Sequence, residues 1–300
     1  MKNSQLNYVG YNGVVELNLD GAMNELVRGL GLRISDTYYQ TPLLQSFAAP
    51  AGGEQPPESF TRGIQARRAN SSTNLGKVAA SYGVSPILSF TSTYTDQRIR
   101  FGSPISTPTG GIQSSVIDTT FQTVESGPVI KLSSIDTVTL YHLYQKGTFG
   151  SQDSNSDFSA HGAIAGWTSL VTRTLTTSMT GGVTVLSTLN DPQYLGSASL
   201  LWTEQDNDFT LAYSRTIMPS FSVSGVPLLN QGVTATATHR MAESFSVSLK
   251  GNYAINQSIP DSSLLHFESY SVTPRVEYKV NRFMTATVYY THSVFSQANL

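Results

Sequence analysis

The chain has 300 residues and a mass of 32.4 kDa, with 18 Lys and Arg against 20 Asp and Glu for a formal charge of −2. Only 13% of residues are charged, about half of the ~25% usual in a soluble domain, and mean hydropathy is −0.13. These values exclude a bundle of membrane helices and a charged disordered polymer, and they leave no electrostatic case for nucleic acid. The absence of cysteine excludes a disulfide scaffold, a thiolate metal site and a Cys nucleophile.

A period of two dominates the chain, so strands are expected in chain order at 5–19, 26–38, 72–83, 87–99, 118–132, 136–147, 158–171, 174–187, 195–204, 208–218, 230–240, 244–256, 266–280 and 283–295. The signal is clearest near the C-terminus. Over 244–256, Phe245, Val247, Leu249, Gly251, Tyr253 and Ile255 alternate with Ser244, Ser246, Ser248, Lys250, Asn252 and Asn256. Side chains alternate across a strand, so one face is apolar and the other polar. Tyr270, Val272, Val276, Tyr278 and Val280 oppose Ser269, Ser271, Thr273, Arg275, Glu277 and Lys279 in the same manner. Alternation over about ten residues, hairpin after hairpin, predicts an all-β, antiparallel, up-and-down transmembrane barrel, one domain over residues 1–300.

Connection lengths alternate too. Short ones fall near 84–86, 133–136, 172–174, 205–207, 241–243 and 280–282. Longer stretches rich in Gly, Pro, Asn, Asp and Ser fall near 39–71, 101–117, 148–157, 188–195, 218–229 and 257–265. Short periplasmic turns and long external loops are the habit of outer-membrane barrels. The segment Met1–Tyr8 shows no signal-peptide h-region. About fourteen strands with short turns inside would leave both chain ends outside. The expectation is therefore a fragment of a roughly sixteen-stranded barrel lacking its first and last strands.

An internal repeat relates Tyr82–Tyr94 to Tyr278–Tyr290: aromatic, tight turn, alternating strand, aromatic. Tyr82, Tyr94, Trp202, Tyr213, Tyr253, Tyr278 and Tyr290 are the candidates for interfacial aromatic girdles. Charges on the polar phase, Arg240, Lys250, Arg275, Glu277 and Lys279, are the candidates for lining a lumen. Glu277 spoils a ring of one sign, so scattered solvated charge is the competing reading. Arg215 shares its phase with Phe209, Leu211, Tyr213 and Ile217, which requires either a bulge or a place at the external rim.

Several stretches carry a resemblance: Arg68–Asn70 leading to Ser81–Pro86, Leu132–Tyr141, Gly196–Trp202, Leu211–Arg215 with Pro219 and Ser220, and Tyr278–Arg282. Together they resemble the outer-membrane β-barrel proteins of porin type found with exosortase (PEP-CTERM) exopolysaccharide systems. The resemblance is diffuse and covers most of the chain. It implies an outer-membrane protein with a role in polysaccharide export or general passage, and it supplies no catalytic residues.

No other motif carries chemistry. Asp153, Asn155 and Asp157 have the spacing that opens a calcium loop. However, Phe158 and Ile164 stand where the loop needs Gly and Glu, so a hairpin tip explains the run. His142, His161, His239, His266 and His292 lack metal-ligand spacing, and a rim position accounts for His239 and His292. No nucleophile elbow or Ser/His/Asp set is present. The sequence thus predicts a non-enzyme without metal or cofactor, seated in the outer membrane of a Gram-negative-type bacterium. Its partners would be outer-membrane lipid and lipopolysaccharide, with polysaccharide or small hydrophilic solutes passing through. The alternative is a barrel that only anchors loops binding polysaccharide or cells, and the 39–71 segment is the candidate constriction or external loop.

Overall fold

The computed structural model describes residues 11–41, 71–101, 118–150, 157–189, 191–219, 227–259, 266–281 and 284–297. They form one antiparallel sheet of β1 (Tyr11–Asn18), β2 (Leu30–Thr41), β3 (Ser71–Gly83), β4 (Leu88–Phe101), β5 (Thr119–Lys131), β6 (Asp136–Phe149), β7 (Phe158–Leu170), β8 (Leu175–Leu186), β9 (Gln193–Glu204), β10 (Asn207–Pro219), β11 (Pro227–Ala242), β12 (Phe245–Ser258), β13 (His266–Asn281), β14 (Met284–Tyr289) and β15 (His292–Gln297). From β1 to β14 each strand pairs with the next in sequence. The last two both pair with β13, lying end to end along it, so the sheet has fourteen strand positions, as the periodicity predicts. Among the described residues the sheet does not close: β1 has no partner beyond β2, and β14 and β15 none beyond β13.

Two differences from the sequence reading have local causes. Asp20–Leu26 is a helix, α1, in the 19–29 connection between β1 and β2. Two turns of helix are too brief for a 3.6-residue period to stand out. The final strand breaks at Tyr290–Thr291, although Tyr290 N–H still donates to Pro274 C=O at 3.1 Å. The proline supplies no N–H to the ladder there.

All tight connections lie at one end of the sheet, and three share one chemistry. Ser85, Ser133 and Thr172 each follow an apolar residue, and each hydroxyl accepts the N–H three residues on, from Leu88 at 3.1 Å, Asp136 at 3.0 Å and Leu175 at 3.0 Å. Such side-chain turns fix the loop length and therefore the register. The two-residue turn at Gln205 and Asp206 places Gln205 at φ 42°, the left-handed region used by tight hairpins. The 42–70, 102–117, 151–156, 220–226 and 260–265 segments all join strands at the opposite end and lie outside the described residues.

Register separates the two faces. One face carries Val78, Tyr82, Phe90, Tyr94, Trp167, Met179, Val183, Leu200, Leu211, Val233, Leu249, Val272 and Val276, exposed though apolar. The other is built from Thr91, Thr93, Thr168, Ser178, Thr180, Ser197, Thr234, Asn252, Ser271 and Thr273. On this second face, Ile99 of β4 shares a buried cluster with Leu228 of β11 and Phe267 of β13, with Phe101 and Met218 packed against it. Those strands stand seven and nine places apart in the sheet order. Contact between them on one face requires the sheet to curl with the Ser/Thr face concave, and the apolar face is then the convex one.

Candidate functional site

The concave face is the place where solute chemistry can happen, and its composition changes along the strands. From mid-strand to the tight turns it carries charge. Asp208 and Arg240 are diagonal neighbours on β10 and β11 beside the turn, with Arg240 Nη2 2.8 Å from Asp208 Oδ2. On β13, Arg275 Nη2 lies 3.0 Å from Glu277 Oε2. Both pairs are partly solvated, where an ion pair contributes about 0–1 kcal/mol, so their effect is to neutralise the lining rather than to hold the fold. Lys250 and Lys279 lie on the same face, Lys250 opposite Thr236 and Thr273, and Lys279 opposite Thr285. All five charged residues singled out by alternation thus share one face and the half of the strands nearer the tight turns. Glu277 breaks the basic run by direct contact with Arg275. Arg33, held to Asp20 of α1 at 2.8 Å, adds a further pair that the sequence did not disclose.

Hydroxyl and amide chains run across this region. Thr234 Oγ1 donates to Asn252 Oδ1 at 2.9 Å, and Asn252 Nδ2 donates to Ser271 Oγ at 3.2 Å, linking β11, β12 and β13 in one row. Thr168 with Ser178 at 3.0 Å links β7 to β8, and Thr180 with Ser197 at 2.8 Å links β8 to β9 two residues further along.

Lys77 and Glu125, at the middle of β3 and β5, are the last charges of the concave face toward the long connections, with Glu125 opposite Leu143; nearer those connections the described concave face bears no Asp, Glu, Lys or Arg. Apolar side chains replace them. Leu143, Phe149, Phe158, Ala160, Leu186 and Leu195 form a second buried cluster with Phe121 and Ile164 against it. Phe158 lies over Gly147, whose missing Cβ would overlap the ring, so the glycine creates the seat for the aromatic. Ile217 and Leu229, opposite one another on the other face, are buried in the same cluster. These residues were not read from the sequence. Their signal is the loss of alternation on either side of a long connection, as in Ile217-Met218 before 220–226 and Leu228-Leu229 after it, where both phases turn apolar.

On the convex face, Tyr82, Tyr94, Tyr213, Tyr253 and Tyr278 are all exposed, and Trp202 shares their phase beside Phe209. Tyr290, also exposed, follows the end of β14. Tyr278 lies near a tight turn and Tyr270 eight residues further along the same strand. That spacing is ~26 Å along a strand at ~3.3 Å per residue, with Val272, Pro274 and Val276 between them. Arg215 sits past Tyr213 toward the long-connection end. The β10 register is continuous, so no bulge intervenes, and Arg215 Nε donates to Tyr194 C=O at 2.9 Å. A rim position therefore accounts for it. His239 is likewise at a rim, beside the 243–244 turn, with its Nδ1 2.9 Å from Asn207 Oδ1. His142 and His161 stack on the convex face at 5.9 Å between ring centroids. Among the described residues no three His, Cys, Asp or Glu side chains gather into a metal site. Of the Asp153–Asp157 run only Asp157 is described, and its Oδ1 accepts the Phe149 N–H at 2.9 Å, a loop-closing bond.

No protein-family model and no curated protein sequence matches the chain. Solved structures do. The FrpB iron transporter from Neisseria meningitidis aligns in its F3-3 variant with a TM-score of 0.51 at 8% identity, over 96% of this chain and 52% of that one. Its F5-1 variant in the apoprotein form aligns with a TM-score of 0.50 at 9% identity, over 89% and 52%. The ferripyoverdine receptor of the outer membrane of Pseudomonas aeruginosa aligns with a TM-score of 0.45 at 10% identity, over 96% and 49%. The chain spans about half the length of these proteins. The FrpB matches show a shared fold: an antiparallel up-and-down sheet of the kind that forms outer-membrane barrels.

Proposed function

We propose that the chain forms the greater part of an outer-membrane β-barrel that lets hydrophilic solutes pass along its concave face. The observation that carries this reading is the segregation of the two faces. An exposed band of Val, Leu, Met and aromatic side chains some 26 Å long on the strand suits the ~25 Å apolar belt of an outer-membrane barrel before tilt is counted. In water that band would be an aggregation surface; against lipid its exposure is favourable. Behind it, Ser, Thr and Asn rows and neutralised ion pairs offer a wettable path without a strong field of either sign. The fold shared with an iron transporter supports a transport role and names no solute for this chain. Lipid and lipopolysaccharide would contact the convex band and its rim, and exopolysaccharide is the solute that the porin-type resemblance suggests.

The test is swelling of liposomes containing the full-length protein in solutions of neutral sugars. Swelling at a rate that rises as sugar size falls is the expected outcome, and liposomes no more permeable than protein-free ones would refute passage. One observation favours a second reading: the apolar clusters fill the concave face near the long connections, as a barrel that only anchors its loops would allow. Under that reading the detergent-extracted protein still shows heat-modifiable gel migration, yet passes nothing.

A further inference from the structure

Two parallel rows on the concave face differ in a way that names a solute class. Thr234, Asn252 and Ser271 are joined in an unbroken chain. Four residues further toward the long connections, Thr216, Asn230, Asn256 and Phe267 stand opposite one another across β10, β11, β12 and β13. Here Asn230 Nδ2 donates to Asn256 Oδ1 at 2.7 Å, and the chain stops. Asn230 Oδ1, Asn256 Nδ2 and Thr216 Oγ1 are buried without a hydrogen-bond partner. Both asparagines are at most 1% exposed. Turning both amides over changes nothing essential, because one amide acceptor and one amide donor are still left over. Buried polar groups are nearly always satisfied, so such a set points to a guest that supplies the missing bonds.

Resting on the passage reading, we propose that this row and the apolar cluster beside it form an uncharged constriction that takes neutral, hydroxyl-bearing solutes such as saccharides and bars ions. An adjacent donor and acceptor match the hydroxyls of a sugar, each of which both gives and accepts a hydrogen bond. Phe267, Leu228, Ile99, Phe101 and Met218 present the apolar surface that the C–H face of a sugar ring can lie against. On β11, β12 and β13 the nearest charged side chain of the concave face is Lys250, six residues from Asn256, and on β3 it is Lys77, four residues from the Thr73 that pairs with Ile99, so no full charge stands in the row to offset the lost hydration of an ion. The charged pairs near the tight turns lie below the constriction and stay outside this selection.

The experiment compares neutral-sugar swelling with ionic conductance for the same full-length protein in lipid, alongside N230L/N256L and N256D. The wild type is expected to pass sugars while its ion current stays about tenfold or more below that of an open polar lumen of similar width. Replacing both amides by Leu should slow sugar entry about fivefold or more without raising the current, and N256D should raise cation current about tenfold. Free passage of ions by the wild type, at a rate matching sugar entry, overturns the constriction and leaves passage standing. Unchanged sugar entry in a heat-modifiable N230L/N256L protein also overturns it, because the loose bonds then belong to trapped water alone. Should that variant fail to fold, the wild-type ratio of sugar to ion passage decides by itself. If the wild type passes neither sugar nor ion, the passage reading falls too.

Discussion

The two ends of the concave face are built from the same strands and hold themselves together differently. Near the tight turns the lining is charged, wet and paired side chain to side chain: Arg240 with Asp208, Arg275 with Glu277, Arg33 with Asp20. Near the long connections it is uncharged and held by packing, with Phe158, Leu186 and Leu195 in one cluster and Ile99, Leu228 and Phe267 in another. The contrast shows where stability and selectivity reside in a sheet of this kind. Three of the tight turns are fixed by their own hydroxyl caps and tolerate a solvated lining. The far ends, joined by long connections, need side-chain contact across the interior to set their spacing.

This contrast can be broken most severely at the packed end. Phe158→Ala empties a fully buried site and is expected to cost about 3–5 kcal/mol, read as a lower urea midpoint for unfolding from lipid vesicles. Between the ends, the faces themselves can be challenged. Leu249→Arg places a charge at mid-band on the convex face and should cost about 2–4 kcal/mol. Ser248→Arg, one residue away on the concave face, should leave the same midpoint nearly unmoved. Gly147→Ala sharpens the account of the packed end. The new methyl must displace the Phe158 ring, an overpacking cost of about 1–3 kcal/mol, and in a Phe158→Ala background the penalty should largely vanish. The smallest effect is expected at the charged end. Arg240→Met removes a half-exposed ion pair and should change stability by no more than about 1 kcal/mol, less still in high salt.

Much of this was legible in the amino-acid order because strand, face and turn each leave a local mark. Ser246, Ser248 and Lys250 against Val247 and Leu249 declare both strand and face, and register follows from caps such as Ser133 and Thr172, close in sequence to what they fix. Arg215 was readable as an exception, though only a continuous β10–β11 ladder shows it to be a rim residue rather than the mark of a bulge. The packed end was not legible, for a physical reason. Ile99, Leu228 and Phe267 meet because the sheet curls, and curl is a property summed over many strands. Likewise Asn230 reads in sequence as one more polar residue on a polar phase. Its unpartnered oxygen emerges only once Asn256 and Thr216 are set beside it.

The central claim is that the convex face meets lipid and the concave face meets water, and the absence of native cysteine makes it directly testable. Single cysteines placed in turn at residues 246–253 of the full-length protein in native membranes would be exposed to a hydrophilic maleimide. The account predicts labelling at 246, 248, 250 and 252 and protection at 247, 249, 251 and 253. Equal labelling at both sets, or the reverse alternation, would contradict it.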